Sequence, residues 1–392
     1  MGDLSTAFSG GVGSLRRVIR IRAGTVVARV REWSGATECT VRLRGDDDGT
    51  PARLGQTVDA PPMRALAYTE LVGTPEPGDA VLVNVTALER GLGTGGLGLV
   101  VALPDRLPSG PAEEQPGHLV KARYTPLQTM VLGVDEQESR HHDTLADADS
   151  VSGLVVVVAD LHSAVPAIIA GLRQQAPDAR VAYLMTDGGA LPLAFSHTVA
   201  GLRESGWLAS SISVGQAFGG DLEAVTVHTG LLAAALVVGA DVAVVAQGPG
   251  NLGTGTRWGF SGVMAGEAVN AAAVLGGRPV ATLRVSGADL RERHRGISHH
   301  SLTAYGRVAL VPADVPVPVL EGPLGALVRE QAGTLEAAGG GRLRLHDVEV
   351  SGLEEALAAS PVTLSTMGRG YADDPASFLA AAAAGRYAAS LL

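Results

Sequence analysis

Two segments of the chain concentrate residues able to hold and transform an anion. The first, Gln247 to Gly262 (QGPGNLGTGTRWGFSG), lies between an apolar run and a helical pattern that begins near Val263. Glycines let backbone N–H groups approach an anion closely, and a following helix N-terminus adds partial positive charge. Gly248, Gly250, Asn251, Gly253, Thr254 and Gly255 are therefore expected to cradle a phosphate or carboxylate, with Arg257 closing on it. Gly248, Gly250 and Gly253 satisfy G-x-G-x-x-G, but the loop runs on well past them before the helix. No acidic residue stands roughly 20 positions beyond, where a dinucleotide fingerprint wants it, and no P-loop lysine follows. A glycine-rich crossover without a ligand is the structural alternative.

The second segment, Arg291 to Arg307 (RERHRGISHHSLTAYGR), mixes arginines suited to bidentate capture of anions with histidines able to move protons or bind a metal near neutral pH. Arg293 and Arg295 are expected to neutralise developing charge, and His299 or His300 to act as general acid or base. Asp187 or Asp221 would orient that histidine or bind a metal. Asp160 and His162 head a wider set of oxygen and imidazole ligands that also includes Glu223 and His228. No spaced metal motif of the H-E-x-x-H kind occurs, so the cofactor stays open, a divalent metal being the candidate these ligand types support. Asp160 and Asp187 could equally cap the helices that follow them. The arginine segment could be a solvated loop. His141, His142 and Asp143 read as a solvated connection, Cys39 as a packing residue, and no G-x-S-x-G elbow supports a serine nucleophile.

Positioning these groups falls to two kinds of element. Residues 1–14 read as a flexible extension. Residues 15–103 carry short strands, GTVVARVREW, ECTVRLRG, AVLVNVTAL and LGLVVAL, separated by turn formers such as Gly45 to Gly49, with no convincing helix. They predict a small all-β, barrel-like domain. Residues 104–117, rich in proline, read as a linker. From 118 to 392, apolar runs at 128–135, 153–160, 180–187, 211–215, 241–247, 279–286, 343–350 and 361–366 alternate with helical patterns. Such alternation predicts an α/β domain with a mostly parallel, helix-covered sheet. A ligand should then sit beyond the carboxyl ends of its strands, where Asp160, Asp187, Gly215 and Gln247 fall. LGTG occurs twice, at 92–95 and 252–255, a chance match or a second loop toward the same ligand. The run at 231–246 is split by Gly239 and Asp241, so no membrane span is predicted.

Thirty basic against forty acidic residues give a net charge of −10, which disfavours a nucleic-acid partner. One cysteine excludes an internal disulfide and a tetrathiolate metal site, and fits a reducing cytoplasm. The alanine-rich C-terminus, DPASFLAAAAAGRYAASLL, reads as an apolar helix that packs on the sheet or on a second subunit of a homo-oligomer. Taken in order over residues 20 to 390, GLGTGG, YTPLQ, TDGGALPLAFS, VGQAFGGDLEAVTVH, QGPGNLGTGTRWGFSG and RHRGISHHS resemble an uncharacterised bacterial family, found mainly in actinobacteria and other Gram-positive organisms and catalogued as a domain of unknown function. The resemblance implies bacterial origin and cytoplasmic location and brings no reaction or catalytic residue with it. From the residues alone, the expected function is an enzyme, a hydrolase or group transferase, acting on a small anionic, phosphorylated or nucleotide-like metabolite. The alternative is a non-catalytic metabolite sensor or assembly protein.

Overall fold

The computed structural model describes residues 19–44, 61–92, 95–110 and 115–392. The extension at 1–14 and the turn at 45–49 lie outside the described residues, as do parts of the first LGTG segment and of the expected linker. The chain forms two compact units, Met1–Gly110 and Pro111–Leu392.

In the first unit β1 (Ile21–Trp33), β2 (Ala36–Leu43), β3 (Met63–Tyr68), β4 (Ala80–Asn84) and β5 (Gly98–Ala102) close into a barrel in the order β1-β2-β3-β5-β4. Closure pairs every edge strand, which a short-stranded sheet needs in water. Val26, Cys39, Val41, Ala65, Val81 and Val83 point inward and fill the interior. Cys39 is a core residue, and burial pushes its thiol up to about 11. Two one-turn helices, α1 (Thr69–Val72) and α2 (Thr86–Glu89), join strands where none was expected. They are too short to show a 3.6-residue period.

The second unit opens with a hairpin of β6 (Leu119–Lys121) and β7 (Thr129–Val131) and a short helix α3 (His142–Leu145), then builds an α/β layer. Its strands are β8 (Val155–Val158), β9 (Val181–Thr186), β10 (Ser210–Ser213), β11 (Leu222–Glu223), β12 (Val242–Gln247) and β13 (Arg278–Ala281). After a small hairpin of β14 (Val285–Ser286) and β15 (Gly296–Ile297) come β16 (Ala313–Val319) and β17 (Leu343–Glu349). The eight sheet strands are parallel, in the order β11-β10-β9-β12-β8-β13-β16-β17. Two expected strands are not part of this sheet. Residues 128–135 contribute β7 and a single bridge from Gly133 to Glu223 of β11, and 361–366 contribute β18 (Ser365–Thr366), which pairs with β19 (Arg369–Gly370). Strand β16, ADVPVPV, is not among the expected strands, and its Pro316 and Pro318 are residues uncommon inside a sheet because each lacks a backbone donor.

Helices cover both faces. On one lie α4 (Val165–Arg173), α5 (His197–Glu204), α10 (Leu353–Ala358) and α11 (Pro375–Ala389). On the other lie α6 (Val227–Ala233), α7 (Met264–Val274), α8 (His299–Thr303) and α9 (Gly322–Gly339). The central strands β8 and β12 are buried at every residue and apolar except for Gln247 at the end of β12, as a sheet covered on both faces demands. The C-terminal helix α11 packs within this unit: Gly171 of α4 lies so close to Ala382 that a Cβ would sit 1.9 Å from its carbonyl oxygen. No helix among the described residues is long and apolar enough to cross a membrane.

This topology sets the place of a site. From β8 the chain turns into α4 on one face, whereas from its neighbours β12 and β13 it turns to helices on the other. Chains departing in opposite directions leave a crevice at the carboxyl ends of the strands. Asp160 follows β8 and Gln247 ends β12 at that point, where Gln247 Nε2 donates to the Asp160 carbonyl at 2.7 Å.

Candidate functional site

At the end of β8 the Asp160 side chain is 3% exposed, and its Oδ2 has no hydrogen-bond partner among the described residues. His300 Nδ1 lies 3.5 Å from that oxygen and the Arg284 guanidinium 3.8 Å from it. Arg284 Nη1 also lies 3.1 Å from His300 Nδ1. Three buried ionisable groups therefore meet where the strand order reverses. Asp160, Arg284, Thr282, Ser286, Asp289 and Arg369 line a crevice on the α4 and α11 side. Thr282 Oγ1 is buried there without a partner among the described residues.

The histidines converge because of local chain geometry. His294 ends a tight 3-10 turn, and pairing of β15 with β14 brings that turn back beside the start of α8. Ser298 caps α8 by accepting from the His300 N–H, and its Oγ lies 2.8 Å from His294 Nδ1. The ring centroids of His294, His299 and His300 lie 4.4 to 5.0 Å apart. Burial pushes the His294 imidazole down to about 3, the Arg284 and Arg291 charges adding to it. His299 goes down to about 4, through burial first and then His300, Arg293 and Arg284. Both are neutral near pH 7.

The glycine segment serves this cluster differently from the expectation. Residues 252–261 fold on themselves: the Thr254 N–H donates to Gly259 O at 2.7 Å, and the Leu252 N–H to Ser261 Oγ at 3.0 Å. The Gly248 N–H is engaged by Thr186 O, so these donors do not form an open cradle. Gly253, Thr254, Gly255 and Arg257 are exposed. What the loop delivers inward is Asn251 and Phe260. Phe260 stacks on His300 with centroids 3.8 Å apart and planes within 2°. Asn251 Oδ1 accepts from Ser261 Oγ at 2.8 Å and from Gln247 Nε2 at 3.2 Å, which turns its Nδ2 toward His300 Nδ1 at 3.4 Å. Several glycines answer to backbone crowding: a Cβ on Gly189 would stand 2.0 Å from Gly248 O, and one on Gly248 2.4 Å from Ala190 O. The positive φ of Gly250, +94°, is a conformation only glycine adopts without strain.

The other expected residues have partners of their own. Asp187 Oδ2 accepts the Gln216 N–H at 2.9 Å and organises the loop after β10. Asp221 pairs with Arg203 at 2.9 Å and holds the edge of the sheet through Ser211. Glu223 is 3.2 Å from the fully buried Lys121 ammonium, which also donates to the carbonyls of Ala217 and Ala224 and ties the β6–β7 hairpin to that edge. His162 has both ring nitrogens engaged, by Tyr183 Oη at 2.9 Å and Ser196 Oγ at 2.7 Å, leaving none for a metal. Neither Asp160 nor Asp187 caps a helix; α5 is capped by Ser196. Arg293 and Arg295 are exposed, Arg293 reaching toward Gly255. Arg291 forms a bidentate pair with Asp289.

Sequence reasoning missed Arg284, Phe260 and the membership of His294. Arg284 carries a signal, standing just past the end of β13 on the ligand side of the sheet. Phe260 carries none, since its contact depends on how the loop folds back. A family model described as Protein of unknown function (DUF3866) matches residues 64–385, from β3 of the barrel to α11, whereas no curated protein and no solved structure matches the chain.

Proposed function

The chain belongs to this family, whose description assigns no activity, and from the site itself we propose an enzyme acting on a small anionic metabolite, phosphorylated or nucleotide-like, by hydrolysis or group transfer. The observation that carries the reading is the meeting of Asp160, His300 and Arg284 within 3.8 Å at the point of strand reversal, beside a polar crevice. Arg284, with a side chain 10% exposed and 3.8 Å from Asp160, and Arg369, 25% exposed and within 3.6 Å of Asp289 and Asp374, are the cations of that crevice, and an anionic group entering it would compete with those carboxylates for them. A guanidinium screened from water attracts developing negative charge more strongly than one in solvent.

Asp160, which lines the crevice and whose buried Oδ2 has no hydrogen-bond partner among the described residues, takes the proton from the attacking water or hydroxyl, with His300 beside it. The attacking oxygen bonds to the phosphoryl or acyl centre, the bond to the leaving oxygen breaks, and the proton passes to that oxygen. A histidine–carboxylate separation of 3.5 Å is looser than a formed hydrogen bond, as is common before a substrate tightens the site. The proton-transfer role expected of a histidine oriented by Asp187 or Asp221 thus falls to Asp160 and its histidine neighbour.

The test is turnover by the purified chain on phosphomonoesters, nucleoside mono- and triphosphates and pyrophosphate, read as released phosphate and nucleoside. One of these classes should be turned over. Asp160→Asn should lower kcat by roughly 10²- to 10⁴-fold, the span of general acid–base catalysis. Arg284→Met should raise KM and lower kcat, because the guanidinium holds the anionic group and also attracts the charge that develops on it. Thermal stabilisation by a nucleotide with no turnover of any class would overturn the enzyme and make the site a sensor.

A further inference from the structure

We infer that His294, His299 and His300 form a site for a transition-metal ion and leave one coordination position open. One ligand atom from each of the three lies within 4.8 Å of the others, a spacing that a single ion can bridge. The set is built into the fold: His294 and His300 are 2% and 6% exposed, and all three ride on a turn and a helix start fixed by Ser298.

Two buried polar atoms without partners give the cluster its direction. His299 Nε2 is buried with no hydrogen-bond partner among the described residues, and so is Asp160 Oδ2. Buried polar atoms are nearly always satisfied, and an orphan calls for a missing ion or ligand. A metal on His299 Nε2 removes the first. The second would be satisfied on binding: with the ion on His300 Nε2 the ring proton moves to Nδ1, which faces Asp160 Oδ2 at 3.5 Å, and the Arg284 and Asn251 donors that address Nδ1 without the ion, at 3.1 and 3.4 Å, turn away from it. Metal-ligating histidines commonly donate their other N–H to a carboxylate in this way. Ser298 does the corresponding work for His294, occupying Nδ1 at 2.8 Å and leaving Nε2 for the ion. Arg284 stands 3.1 Å from His300 Nδ1, and its charge is offset by Asp160 at 3.8 Å.

Three imidazoles with neither thiolate nor carboxylate select zinc, cobalt, nickel, copper or iron over magnesium and calcium, which prefer oxygen. Three protein ligands with a vacant fourth position are the pattern of catalytic and not structural zinc. The ion would hold a water or an anionic ligand there. This inference shares its site with the proposed reaction but does not need that reaction to be right.

The experiment is a titration of chelator-treated full-length chain with Co²⁺, read by its visible absorption, with Zn²⁺ and Mg²⁺ as competitors. One equivalent of Co²⁺ per chain should bind with a visible band, Zn²⁺ should displace it, and Mg²⁺ should not. His299→Ala, at a half-buried position that tolerates truncation, should weaken binding by roughly 100-fold or more while circular dichroism is unchanged. Asp160→Asn, which keeps every ligand, should weaken it by roughly 10- to 100-fold. Absence of saturable Co²⁺ binding, or equal binding by wild type and His299→Ala, would overturn the site. Stoichiometric Co²⁺ with no turnover on any substrate would keep the metal and remove the enzyme.

Discussion

Asp187 has the right chemistry and the right strand end, and the structure gives it a backbone partner in the loop after β10. Its Oδ2 accepts the Gln216 N–H, and Gly215 leaves the space, since a Cβ there would stand 2.4 Å from the same oxygen at φ +66°. Asp187→Ala should therefore lower stability by about 1.5–3 kcal/mol, the range for a hydrogen bond to a charged group, measured by urea unfolding. Turnover by the folded variant should stay within a few-fold of wild type; loss on the scale expected for Asp160→Asn would return Asp187 to the chemistry. Asp160 and Asp187 look alike in sequence, each following an apolar run. Asp160 lines a crevice and has a buried oxygen without a partner among the described residues, whereas Asp187 has a backbone partner.

Between elements, the closest contact of the second unit is α4 against α11. A Cβ on Gly385 would sit 1.8 Å from the Ile168 carbonyl oxygen, and one on Gly171 1.9 Å from that of Ala382. Both obstacles are backbone atoms, which cannot swing aside. Gly385→Ala should cost about 1–3 kcal/mol or more through overpacking, seen as a lower urea midpoint. Gly333→Ala on the exposed side of α9 meets nothing within 4 Å and should instead stabilise by about 0.4–1 kcal/mol. Equal effects of the two would refute the close approach. The alanine run of α11 was legible as a helix, and its small side chains are what allow this proximity. Which surface it would cover was not, because an apolar face suits the sheet and another subunit equally well.

For the molecule as a whole, the barrel has a core of its own, and the α/β unit has two that share one sheet. Calorimetry should resolve two unfolding transitions. Val83→Ala should lower only the barrel transition and Val157→Ala only the other, each by several degrees, since a truncated core valine loses packing and leaves a void. A single transition moved by both variants would contradict the division. Composition and pattern by themselves determined much: the barrel, the parallel helix-covered sheet, and the end of the sheet at which Asp160 and Gln247 fall, because hydrophobic periodicity is local and parallel sheets place their loops by rule. They also marked Asp160, Asn251, His299 and His300. Only the tertiary structure decided which of the marked residues meet. Asp160 and His300 are brought together by the order of the strands, His294 by a hairpin, and Phe260 by a loop folding on itself. Asp187, Asp221 and His162 are engaged by near neighbours, and nothing in residue type distinguishes a side chain whose hydrogen bonds are filled from one whose bonds are open. That distinction depends on contacts across tens of residues of chain, which spacing along the sequence does not record.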